Sequence, residues 1–255
     1  MASITTKINI GKYLFQIIDN TLALDGQIYC RKLKIGDCIN VSISYNQNRP
    51  VSASITHISY DLNCSIIMIK TLLDYIHQQI PTITEITFED KTSIECANIY
   101  HIPLYYFSIA FNGVTWYENH FNARQKDLNK HDKYRTKINI LLYSEEFKQN
   151  TYFIHFLEIA KPPFEIIDEL DKYYSNSITF GEFFQSMPKS NRCRLVRDWI
   201  FSFMSYHLKE VFENMDWIIE LPISTFGGLK NTRKYYYHKC KIIYNKNFGI
   251  DDINR

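Results

Sequence analysis

The sequence predicts an α+β protein in which a sheet-forming amino-terminal part is followed by a mainly helical carboxy-terminal part. Three observations carry that reading. Residues 8–60 alternate apolar and polar side chains between turn signals, the apolar spacing changes to three and four from Ile66, and helical spacing with capping patterns dominates after residue 150.

The strands come first. Tyr13 to Ile18 is a short apolar run, Asp25-Gly26 marks a turn before Gln27 to Lys34, and Gly36-Asp37 marks another before Cys38 to Tyr45. In that last segment Ile39, Val41 and Ile43 alternate with Asn40, Ser42 and Ser44, the period of a half-buried strand. Val51 to Tyr60 alternates again and places Val51, Ala53, Ile55 and His57 on one face. Together these segments predict an antiparallel meander.

The period then becomes helical. Ile66, Ile69, Leu73, Ile76 and Ile80 fall on one stripe, and Pro81 ends the helix because the residue before proline is pushed out of helical geometry. Ile83 to Glu89 returns to strand. Pro103 to Phe111 and Thr115 to Ala123 read as short helices on either side of Gly113. Arg124 to Lys137 carries charges of both signs and reads as a solvated surface. Thr151 to Ala160 is apolar enough for a buried helix, and Pro162-Pro163 precede another at Phe164 to Tyr174. Thr179 with Glu182 fits a capping box, and Ser190 caps one long helix running to about Asn214. Trp217 to Leu221 and Tyr235 to Tyr244 are late strands. The expected division is an α/β core at 1–137 and a mainly helical region at 138–255 ending in a basic hairpin, the two together forming either two domains or one.

Composition excludes several function classes. A formal charge of +2, from 29 basic and 27 acidic residues, is too balanced to argue for nucleic acid from the total. No apolar run approaches the roughly 18 residues of a membrane helix, so no membrane partner is expected. The start, Met1 to Lys7, lacks a signal-peptide core, and the six cysteines show no CxxC pairing. They read as reduced thiols in an intracellular, unsecreted protein. The eight histidines form neither an i, i+4 pair nor HExxH, so no metal is expected, and Walker A, GxGxxG and GxSxG patterns are missing.

Two segments carry candidate chemistry. In Tyr105 to Ala123, Tyr117, Glu118 and His120 fall within four positions after Gly113. A phenol or imidazole there can give or take a proton. The competing reading is a packed aromatic helix whose polar tips meet water. In Lys230 to Lys241, basic residues including Lys230, Arg233 and Lys234 interleave with tyrosines, and no acid occurs from Leu221 to Ile250. That pattern suits phosphate contact plus base stacking, and equally an edge hairpin protected by lysines.

The order of Met68-Ile69-Lys70-Thr71, the Ile83 to Asp90 strand, the aromatic block and the helical end resembles that of uncharacterised proteins of giant, mimivirus-like DNA viruses. The resemblance implies a location in host cytoplasm or virion. The middle third resembles the core of the GNAT N-acetyltransferases, in which a meander leads through a phosphate-binding turn into a helix and a strand. A tyrosine-bearing helix follows, and Trp116-Tyr117-Glu118-Asn119-His120-Phe121 is similar to it. The resemblance implies a GNAT-like antiparallel or mixed sheet with flanking helices, and acetyl-CoA or a related acyl-CoA as cofactor. It further implies an amine acceptor, Tyr117 as general acid with Glu118 beside it, and the backbone of Cys64, Ser65, Ile66 and Ile67 at the pyrophosphate. Where the family's turn is glycine-rich, this chain has the glycine-free Asp61-Leu62-Asn63-Cys64-Ser65-Ile66-Ile67. The alternative is a catalytically inactive GNAT-derived module serving as a viral structural or protein and nucleic-acid interaction body.

Overall fold

The computed structural model describes residues 2–10, 13–24, 27–36, 39–58, 66–96, 100–212 and 216–223. In chain order the elements begin with β1 (Ala2–Ile10), β2 (Tyr13–Leu24), β3 (Gln27–Ile35), β4 (Ile39–Asn46) and β5 (Arg49–Ile58). Next come α1 (Ile66–Gln79), β6 (Glu85–Phe88), β7 (Ser93–Cys96), β8 (Tyr100–Pro103), α2 (Leu104–Asn112), α3 (Trp116–Phe121) and β9 (Arg124–Gln125). The remainder is α4 (Leu128–Tyr143), α5 (Glu145–Asn150), α6 (Phe153–Ala160), α7 (Ile167–Ser175), α8 (Phe180–Ser186), α9 (Arg192–Val196), α10 (Ile200–Phe212) and β10 (Trp217–Glu220). The α+β class expected from the sequence is what the chain forms. Its described residues fall into two compact units, one of residues 1–90, 120–124 and those from Asp216, the other of residues 91–119 and 125–212. The expected boundary between residues 137 and 138 falls inside α4.

The first unit is built on a sheet of order β1-β2-β3-β4-β5-β6-β10-β9. Strands β1 to β5 are the antiparallel meander. Alternation decides its faces, because successive side chains of a strand point to opposite sides. Leu33, Ile35, Ile39, Val41, Ile43, Ala53 and Ile55 are buried on one face. Val51 shares their parity but is 59% exposed beside the β4–β5 turn. Helix α1 packs across β3 with Ile69, Leu72, Leu73 and Ile76 inward, and Ile80 is buried just before Pro81. Each such side chain contributes about 1.5–3 kcal/mol on burial. One charge pair lies on the same face: Asp19, 1% exposed, is paired with Arg31. The hydrogen bond to Asp19 raises the Arg31 guanidinium further above its ordinary value against the cost of burial.

The pairing changes at β6. It runs parallel to β5 and meets it at the single bridge Ser54↔Thr87, with the Thr87 hydroxyl donating to the Ala53 carbonyl at 3.2 Å. On its other side β6 pairs antiparallel with β10 over four residues, where Phe88 and Trp217 stack with ring centres 6.4 Å apart.

The second unit joins the β7–β8 hairpin to helices α2 and α4 to α10. Its centre is aromatic: Phe156, Phe180, Phe183, Phe184, Trp199 and Phe203 are all fully buried. Centroid distances of 5.1 Å for Phe156–Trp199 and for Phe180–Phe203 place these rings in the edge and tilted arrangements that favour aromatic pairs. Helix α6 gives this core Phe156 and Ala160 and leaves Tyr152 and Ile154 outside, so it is less buried than its composition predicts. Glycine is required at position 113, where φ is 73° and the residue caps α2 in the left-handed region. A Cβ there would overlap the Tyr143 hydroxyl, and one at Gly181 would lie 2.9 Å from the Leu142 carbonyl.

Two expectations are corrected here. The helix expected from Ser190 to about Asn214 is α9 and α10 with a tightened turn between them. The Trp199 amide donates to Val196, three residues back, at 3.1 Å. The Leu195 carbonyl, left by that tightening, accepts the Trp199 indole N–H at 2.5 Å. The indole therefore takes the place of the displaced backbone donor. The cysteines are not all reduced thiols either, because Cys96 of β7 and Cys193 of α9 form a disulfide. A separation of 97 residues leaves no local spacing by which sequence could show it. Cys30 is a free thiol, while Cys38, Cys64 and Cys240 lie outside the described residues.

Candidate functional site

The Tyr105 to Ala123 block folds as α2 and α3 around Gly113. Helix α3 begins with a reciprocal capping box: the Glu118 amide donates to the Thr115 hydroxyl at 3.2 Å, and the Thr115 amide to Glu118 Oε2 at 2.8 Å. The same carboxylate accepts the Tyr134 hydroxyl from α4. Arg135 Nη1 lies 3.7 Å from Glu118 Oε1 and donates to the Gly113 carbonyl at 3.0 Å. Burial, reinforced by the neighbouring Glu118 charge, holds the Tyr134 phenol well above its ordinary value. Glu118 thus ties the start of α3 to α4.

Tyr117 is 2% exposed, and its hydroxyl lies 2.7 Å from the Thr92 hydroxyl. Its ring stands edge-on to Trp116 at 5.0 Å. Adjacent in sequence, the two candidate groups are thus occupied differently, Tyr117 towards the β7 hairpin entrance and Glu118 towards α4.

Of the expected phosphate-binding residues, Ile66 and Ile67 open α1 and are half-buried, and the Ile67 carbonyl accepts the Thr71 hydroxyl at 2.7 Å. Cys64 and Ser65 lie outside the described residues, as do Lys230, Arg233, Lys234 and the rest of the 230–241 segment. Among the described residues no three His, Cys, Asp or Glu side chains gather as a metal-binding group. No described helix is long and apolar enough to cross a membrane.

Sequence reading missed two features of this unit. The Thr115-Trp116-Tyr117-Glu118 spacing is the same capping signature read at Thr179 and Glu182, where the structure also shows it, Glu182 N–H to Thr179 Oγ1 at 3.1 Å. It was therefore legible. Lys148 was not: within Glu145-Glu146-Phe147-Lys148-Gln149 it reads as surface, yet it is 6% exposed. Its Nζ donates to the Tyr174 carbonyl at 3.2 Å and lies 3.2 Å from the centre of that ring. Burial pushes its amine down to about 8.

No family model, curated protein or solved structure matches the chain. Fold and site define a mixed α+β protein with a large mixed sheet in one unit and an aromatic helical core in the other.

Proposed function

We propose that the chain is a GNAT-like acyl-CoA-dependent N-acyltransferase, with acyl-CoA entering where β5 and β6 part. One observation carries this reading. The meander passes through residues 59–65 into α1 and returns as a strand parallel to β5 that touches it at one bridge. In this reading an extended, amide-rich pantetheine arm lies along that parallel pair with its pyrophosphate at the start of α1. In this reading an amine attacks the thioester carbonyl, the carbon–sulfur bond breaks and the departing thiolate takes a proton, the role that the resemblance gives to Tyr117. Glu118 serves as the cap of α3, and a different group takes the amine proton.

The second reading is a catalytically inactive module of the same ancestry, acting as an interaction body. The engagement of Tyr117 with Thr92, and of Glu118 with Thr115 and Tyr134, favours it. Titration calorimetry with coenzyme A, joined to an assay of acetyl transfer onto polyamines and peptide amines, tests both. Binding with turnover upholds the transferase. Binding without turnover upholds the inactive module, and a melting temperature unmoved by saturating coenzyme A removes the cofactor site.

A further inference from the structure

Among the described strands the large sheet ends at β1, whose far edge pairs with none of them. Alternate residues of an edge strand turn their N–H and C=O groups away from the sheet, and natural proteins blunt such edges with bulges, prolines, charges or short strands. β1 has little of this. It runs for nine residues, Ala2-Ser3-Ile4-Thr5-Thr6-Lys7-Ile8-Asn9-Ile10, without proline or glycine, and Lys7 is its one charge. Its register with β2 is unbroken from Ala2↔Thr21 to Ile10↔Tyr13, whereas β2–β3 and β4–β5 both contain irregularities. Pairing also sets its faces. Thr6 stands opposite the buried Ile17, and its hydroxyl lies 3.4 Å from the Tyr75 hydroxyl of α1. Even-numbered positions of β1 therefore belong to the face on which α1 packs, and odd-numbered ones to the face of the exposed Lys7.

We infer that β1 is the interface of a symmetric dimer, in which it pairs antiparallel with β1 of a second copy of this chain. The strand's own sequence selects that occupant. A twofold axis perpendicular to the sheet keeps the α1-bearing faces of both copies on one side, and it pairs positions of equal parity. Centred on Thr6, it brings the whole of β1 into the ladder. Thr6 meets its counterpart, Ile4 meets Ile8, Ala2 meets Ile10, Ser3 meets Asn9 and Thr5 meets Lys7. Like thus meets like on each face, the cross-strand matching that stabilises antiparallel pairs. A centre at Thr5 or Lys7 leaves positions unpaired at one end, and the latter sets the two Lys7 residues side by side. Parallel pairing about a twofold along the strands joins the α1-bearing face of one copy to the opposite face of the other. Both copies spend the same edge, so the contact closes at two. At the other end of the described sheet, β9 is two residues long and too short to carry the ladder further.

Light scattering on the eluting full chain, with the dissociation constant from sedimentation equilibrium, tests this. The expected particle has twice the mass of one chain. Thr5 meets Lys7 twice across the axis, so Thr5→Lys creates two like-charge pairs and weakens the dimer by roughly tenfold. Thr5→Glu creates two opposite-charge pairs and tightens it by a comparable factor, and both effects shrink in high salt. The glutamate variant keeps the test decisive should the lysine variant fail to fold. A chain that stays monomeric at the highest concentration reached overturns the proposal. So does a dimer whose dissociation constant the two substitutions leave unchanged or move in the same direction. An assembly that grows beyond two copies overturns it as well.

Discussion

The Tyr134 hydroxyl donates to the Glu118 carboxylate, and that carboxylate in the same place caps the first turn of α3. A residue picked out for proton chemistry is thus a joint between two helices. Glu118→Ala leaves the Thr115 amide and the Tyr134 hydroxyl without this acceptor, at a cost of about 1–3 kcal/mol, and Thr115→Ala costs about 1 kcal/mol through the other half of the box. Urea denaturation measures both. Because the two residues share one motif, the double variant loses less than the sum of the singles.

Tyr117→Phe separates packing from chemistry. Deleting a hydroxyl bonded to Thr92 costs about 0.5–1.5 kcal/mol, read as a lower urea midpoint at unchanged slope. If the transferase reading holds, the same variant retains coenzyme A affinity while acetyl transfer falls by about 10²–10⁴.

Stability rises with pH in two windows. The Lys148 amine, lowered by burial from 10.5 to about 8, is neutral in the folded chain and protonated in the unfolded chain between those values. The unfolded state then binds more protons, so the melting temperature climbs from about pH 8 towards pH 10. Lys148→Met removes this climb and raises stability at pH 7. The His207 imidazole is lowered from 6.5 to about 4, by burial and then by the Lys137 charge, so stability falls on acidification from about pH 6.5 to pH 4. His207→Gln flattens that acid limb. Calorimetric melts across pH 4–10 check both.

The Cys96–Cys193 disulfide closes a separation of 97 residues. Reduction, or a Cys96→Ala, Cys193→Ala variant, lowers stability by about 2–5 kcal/mol. Thiol titration of the denatured, unreduced protein is at least two equivalents short of the total given by the reduced one.

Much of the fold was legible in residues with a strong local signal. The alternation of Ile39, Val41 and Ile43 and the stripe through Ile69, Leu73 and Ile76 are buried as their periods require. Gly113 and the Thr179–Glu182 box end and begin helices as expected. What escaped is non-local. The turn at Trp199 depends on an indole replacing a backbone donor, and the Cys96 disulfide on a partner 97 residues away. At the candidate site, Tyr117 and Glu118 stood out by residue type, but Thr92 and Tyr134, which hold them, lie 25 and 16 residues off.

The interleaved path of the chain through its two units limits how the molecule can be dissected. Residues 120–124 and the strand from Asp216 return to the sheet after excursions into the helical body. A fragment ending at residue 137 keeps the meander but loses β10, the antiparallel neighbour that covers β6 along Trp217 to Glu220. Protease trimming or gene truncation therefore yields broken pieces of both bodies rather than one intact half. Separating their melting is a task for single-tryptophan reporters, Trp217 for the sheet and Trp199 for the helices.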